Sequence, residues 1–131
     1  MLYLDNSSTT KTNKEVMSTV VSVMENYWGN PSSLHELGVL SEKVVKQSRK
    51  IISDFLQVTP EEVYFTSGGT ESNNIFIHGV LEEYKGRGNH IITTKTEHPA
   101  VVEVIKSFEE KGWRVSWLDV DEFGLISLEE L

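Results

Sequence analysis

Val63-Tyr64-Phe65-Thr66-Ser67-Gly68-Gly69-Thr70-Glu71-Ser72-Asn73-Asn74 joins a short apolar run to two adjacent glycines and then to a polar stretch, beyond which Ile77, Leu81 and Tyr84 continue a helical pattern. The reading is a strand over Val63 to Thr66, a tight turn, and a helix starting near Thr70. The alternation then repeats. Turn-forming Gly86-Arg87-Gly88-Asn89 leads to a strand from His90 to Thr94, and His98-Pro99 opens a helix carrying Val101, Val102, Ile105 and Phe108. Gly112 stands where a left-handed helix cap is favoured, and Trp113, Val115 and Trp117 alternate as a further strand. Strands separated by helices of this length need crossover connections, which predicts an α/β fold with a largely parallel sheet.

Working back from the same stretch, Thr59-Pro60-Glu61-Glu62 has a cap residue, a proline at the first helical position and a glutamate at the third, so one helical turn is predicted there. Before it, Leu40, Val44, Ile51, Phe55 and Leu56 share one face of a helix, and the turn-rich run Gly29-Asn30-Pro31-Ser32-Ser33 separates that helix from an earlier one. The earlier helix follows a capping box at Thr12-Asn13-Lys14-Glu15 and shows the stripe Val16, Val20, Val23, Met24 and Tyr27. Residues 1–12 form an extended N-terminal segment around Tyr3 to Asp5, and residues 13–131 read as one domain without repeats or linkers. A second capping box, Ser127-Leu128-Glu129-Glu130, announces a helix that the sequence does not contain, so the domain is expected to be incomplete.

Composition narrows the function classes. The 131 residues are 38% hydrophobic and 24% charged, ordinary globular values, and no run approaches the roughly 18 apolar residues of a membrane span. The start MLYLDNSSTT lacks the basic and apolar regions of a signal peptide, so a cytoplasmic protein is expected. A formal charge of -8 argues against nucleic acid as a partner, although a local site for one phosphate is compatible with it. There is no cysteine, hence no disulfide, thiolate metal site or thiol nucleophile, and no metal site is expected.

Two places carry candidate chemistry. Glycines between a strand and a helix let the backbone approach a ligand, and the first-turn amides with the helix dipole favour an anion, so Gly68-Gly69-Thr70 is either a phosphate cradle or simply a tight turn. It is neither a Walker loop nor GxGxxG. His98, in Thr96-Glu97-His98-Pro99, follows the carboxyl end of a predicted strand, where ligands of open sheets bind, and it is predicted to lie close to the glycine turn. The alternative for His98 is a helix cap or an exposed side chain. His35 has weaker standing, and His78 and His90 read as surface or partly packed residues. The acid pairs Glu61-Glu62, Glu82-Glu83, Glu109-Glu110 and Glu129-Glu130 read as solvated helix ends, and Trp113 and Trp117 as strand core.

Four stretches taken together resemble, in order and spacing, the N-terminal motifs of cysteine desulfurases of the NifS/IscS type, within the class-V aminotransferase group. They are Tyr3 to Thr10 (YLDNSSTT), Gly29 to His35 (GNPSSLH), Phe65 to Asn74 (FTSGGTESNN) and Thr96 to Val101 (TEHPAV). The resemblance implies the N-terminal part of a fold-type I transferase large domain dependent on pyridoxal 5'-phosphate. Its reaction would convert L-cysteine to L-alanine, with sulfur held as an enzyme persulfide for iron-sulfur cluster assembly. By that similarity Gly69 and Thr70 would hold the cofactor phosphate and His98 would stack on its ring. A sulfur-acceptor or scaffold protein and a homodimer of the complete enzyme are likewise implied. The Gly29 to His35 loop and the single histidine of Thr96-Glu97-His98 look like the NifS/IscS branch, not the SufS-like one. The family's Schiff-base lysine, pyridinium-pairing aspartate and persulfide cysteine have no counterpart in these 131 residues, so no catalytic residue is assigned and the chain alone is expected to be inactive. Ser7-Ser8 and Gly69 depart mildly from positions where alanine is common. A non-catalytic binding remnant, or another class-V enzyme such as a selenocysteine lyase or an aminotransferase, is the alternative.

Overall fold

Asn13, not Thr12, caps the first helix, α1 (Lys14–Asn26), because its side-chain Oδ1 accepts the Glu15 amide at 2.8 Å from extended backbone. The predicted capping box is therefore not formed: the cap sits one residue later, and the third helical position is Val16, which cannot reach back to it. The computed structural model describes residues 2–131, and Met1, the first residue of the expected extended segment, lies outside the described residues. The chain divides into two units, Met1–Tyr64 and Phe65–Leu131.

In the first unit α1 is followed by the Gly29 to His35 loop and the longer helix α2 (Glu36–Leu56). Asn30 organises the loop, its side chain accepting the Ser32 amide and its carbonyl the Ser33 amide, each at 2.9 Å. His35 caps α2 through Nδ1, which accepts the Gly38 amide at 3.3 Å. Two glycines allow the chain to close here. A Cβ on Gly29 would stand 2.6 Å from the Leu37 carbonyl oxygen, and one on Gly38 would collide with the Ser33 carbonyl. Ser41 Oγ lies 2.8 Å from Tyr27 O, tying α2 back to the end of α1. Gln57 ends α2 in the left-handed conformation, and Pro60–Glu62 forms the predicted single turn, with Glu62 accepting both the amide and the hydroxyl of Thr59.

The strand predicted over Val63 to Thr66 does not form as regular secondary structure, although Val63 itself has extended backbone. Its first ladder groups are used locally: the Val63 amide donates to Pro60 O, and Val63 O accepts from Arg49 Nε at 3.0 Å. Among the described residues the sheet consists of two strands.

The second unit contains helix α3 (Gly69–Tyr84), strand β1 (His90–Thr94), helix α4 (Pro99–Glu110) and strand β2 (Arg114–Leu118). β1 and β2 are parallel, with His90 opposite Arg114 and Thr94 opposite Leu118, so the β–α–β crossover expected from the alternation is present. The fold is α/β. α4 buries Ala100, Val104, Ile105 and Phe108, and Leu118 of β2 joins them. Phe108 is 0% exposed, with the His78 ring 4.9 Å away and the Trp113 ring meeting it edge-on at 5.7 Å. Gly112 turns the chain at φ 93°, where a side chain would be strained, while Trp113 N returns to Phe108 O. Past β2, Asp121 Oδ1 accepts the Phe123 and Leu125 amides at a turn, and the Ser127 to Glu130 motif forms a turn over 128–130. No helix among the described residues is long and apolar enough to cross a membrane.

Candidate functional site

Gly68 is the N-cap of α3 and has no side chain with which to cap the helix, so the first-turn amides lack the partner that Ser, Thr or Asp would supply. Its backbone is extended, at φ 164°, which any residue adopts. A Cβ on either Gly68 or Gly69 would meet nothing within 4 Å, so the approach to the helix start is open. Uncapped amides, a helix dipole and the Thr70 hydroxyl together form a set of donors suited to an anion. The turn itself is braced. Thr66 Oγ1 and Ser72 Oγ are 2.7 Å apart, and the Ser67 amide donates to Glu71 Oε2. That amide bond, with a further hydrogen bond from Ser67, holds the Glu71 carboxyl below its ordinary value.

His98 performs the capping role considered for it and also borders a cavity. Its Nδ1 accepts the Ala100 amide at 3.1 Å, and Pro99 occupies the first position of α4, where no amide is needed. Since Nδ1 accepts, the ring proton of the neutral imidazole sits on Nε2, and the ring plane is held in one orientation. Thr70 and His98 line one cavity of about 470 Å³, together with Asn74 and His78 of α3 and Glu103 and Ser107 of α4. Gly69 lies beside Thr70 in the same helical turn.

The other histidines are placed differently. His78 is half-buried against Phe108, His35 caps α2, and His90 contacts Ser116 Oγ at 2.9 Å and Arg114 at 2.7 Å. Asn74, His78, Glu103 and Ser107 were not singled out from sequence as cavity residues. Their signal is helical spacing: Thr70, Asn74 and His78 recur every four residues, as do Glu103 and Ser107.

An uncapped helix start and a histidine fixed as a helix cap thus border one cavity, and the sequence profile of the Aminotransferase class-V family matches residues 2–131. The chain belongs to the aminotransferase class-V family. This class-V chain is 44% identical over 131 residues to a mitochondrial cysteine desulfurase of Eremothecium gossypii, covering 99% of this chain and 27% of that protein. It is also 44% identical to a NifS/IcsS protein homolog of Lactobacillus delbrueckii subsp. bulgaricus, covering 100% of this chain and 34% of the relative. A solved structure of a NifS-like protein shares the fold with a TM-score of 0.85 and 35% identity, over 95% of this chain and 34% of that one. The class-V chain thus spans roughly a third of the length of the relatives it matches. The family is pyridoxal-phosphate-dependent, and the donors at the start of α3 fit a phosphate monoester.

Proposed function

We propose that this chain supplies the phosphate end and one ring face of the pyridoxal 5'-phosphate site of a cysteine desulfurase. Residues 13–131 are then the N-terminal part of the transferase large domain, preceded by the segment 1–12, expected to be extended but turning over Asn6 to Ser8. The observation that carries the reading is the meeting of Thr70, at the uncapped start of α3, with His98, the imidazole cap of α4, on one cavity. The amides around Gly69 and the Thr70 hydroxyl donate to the phosphate, and the α3 dipole favours its charge. His98, oriented by the Ala100 amide, offers a flat ring face against which the cofactor ring stacks. The cofactor, once bound, supplies the electron sink for bond breaking at the substrate, while this chain binds and orients it.

L-cysteine as substrate, L-alanine as product, a persulfide passed to an acceptor or scaffold protein for iron-sulfur assembly, a homodimer and a cytoplasmic setting belong to the same proposal and rest on the resemblance; the name of the Eremothecium relative supports the desulfurase reaction and itself belongs to a mitochondrial protein. The 131 residues contain no cysteine, so no sulfur-accepting thiol is assigned to them and desulfuration by these residues alone is not expected. Sulfide or alanine release clearly above that of free pyridoxal phosphate would overturn this part.

Thr70→Val tests the phosphate assignment. A hydrogen bond to a charged group contributes about 1.5–3 kcal/mol, so pyridoxal phosphate affinity should fall by roughly tenfold to somewhat over a hundredfold. An unchanged titration would remove Thr70 from the site.

A further inference from the structure

The start of α3 is half of a capping box. In the complete motif the N-cap side chain takes the amide at the third helical position, and a glutamate at that position reaches back to the N-cap amide. Here the N-cap is Gly68, so the first arm is missing, while Glu71, at the third position, is present and reaches one residue further back, to the Ser67 amide. A second tie crosses the same loop, with Thr66 Oγ1 against Ser72 Oγ at 2.7 Å and against Gly68 O at 3.2 Å. Two features follow from this geometry. The chain before the helix is folded back and fixed, and the first-turn amides are left without a side-chain cap. A serine or aspartate at position 68 would fix the turn equally well but would occupy a first-turn amide.

We infer that Glu71 is a positioning residue for the phosphate turn: by holding the Ser67 amide it fixes the loop in the form that keeps the first-turn amides of α3 open to an anion. The inference rests on the proposed phosphate site and adds a residue that does not itself touch the ligand. Glu71 carries a negative charge near the place where the phosphate binds, so its contribution comes through geometry and runs against its Coulomb effect. Acceptance is therefore separable from charge. A glutamine keeps an acceptor oxygen at the same reach and removes the charge, an alanine removes both, and an aspartate is one methylene too short. The depressed titration of Glu71 agrees with the bond, since the amide favours the ionised form.

The experiment compares Glu71→Ala, Glu71→Gln, Glu71→Asp and Thr70→Val in the protein, titrated with pyridoxal phosphate, inorganic phosphate and phosphate-free pyridoxal. Glu71→Ala and Glu71→Asp should weaken pyridoxal phosphate and inorganic phosphate by about tenfold and leave pyridoxal unchanged, and Glu71→Gln should restore wild-type affinity or exceed it. The Ser67 amide proton gives an independent signature. Its NMR shift should move as pH falls through the Glu71 titration, below the ordinary glutamate value of 4.5, and should stay constant over that range in Glu71→Gln. The sign follows from the depressed pKa: the bond is at full strength above that value and is lost on acidification. Wild-type phosphate affinity in Glu71→Ala, with Thr70→Val weakened, overturns the role of Glu71 and leaves the site standing. Equal losses in Glu71→Gln and Glu71→Ala also overturn it, because acceptance would then not be what matters. If Thr70→Val binds as wild type, the site and this inference fall together.

Discussion

The two units of the chain are held by different kinds of contact. In residues 2–64 the buried positions are small: Gly29, Gly38, Ser41 and Ser53, clamped by backbone carbonyls and hydroxyls, while Val16, Val20, Met24, Ile51 and Phe55 stay open to solvent. In residues 65–131 the buried positions are apolar, with Phe108 at the centre and α4 packed on β2. Close backbone approach fixes local geometry but removes little apolar area from water, whereas the second unit draws its stability from that removal. The candidate site stands on the second kind of support. His78 on the cavity wall leans on Phe108, and His98 caps α4, whose core residues Ala100 and Val104 also line the cavity.

Deleting the central ring should produce the largest effect. Phe108→Ala is expected to cost about 3–5 kcal/mol and to loosen His78, whereas Phe55→Ala, at a side chain 85% exposed, should change stability by no more than about 0.5 kcal/mol. Denaturant unfolding measures both, and comparable losses at the two positions would break the contrast. Gly38→Ala should have the next largest effect, because the new methyl meets the Asn30 carbonyl at 2.8 Å and clashes with that of Ser33. Overpacking against backbone costs about 1–3 kcal/mol, and it should lower the midpoint while leaving the denaturant slope intact. Gly69→Ala should have the smallest effect. Its methyl meets nothing within 4 Å, so stability should stay the same or rise by up to about 1 kcal/mol, and pyridoxal phosphate should bind as before. Loss of the cofactor in this variant would show that the open space above the turn is needed in full. The outcome also bears on the family departure, since alanine is common at this position in the desulfurases that the chain resembles.

Much of the local structure was legible from short-range chemistry. The Thr59 capping box, Pro99 at the start of α4, Gly112 at its end and the bounds of β1 follow from hydrogen bonds and φ preferences that act within a few residues. The displaced cap of α1 shows the limit of that reading. Thr12 and Asn13 are both good caps, and the choice between them turned on which side chain reached an amide. The apolar run Val63 to Thr66 shows a larger limit, because a strand exists only where a neighbour completes its ladder, and Arg49 and Pro60 take the groups of Val63 instead.

The sequence by itself determined the α/β alternation, the uncapped helix start at Gly68-Gly69-Thr70, the histidine before Pro99 and the family resemblance, because each is a property of a few adjacent residues or of their order. Only the tertiary structure decided that Thr70 and His98 share a cavity and that His78 joins its wall. These depend on α3 and α4 packing side by side, and that packing comes from burial of the α4 stripe, an attraction without direction that no short stretch of sequence encodes.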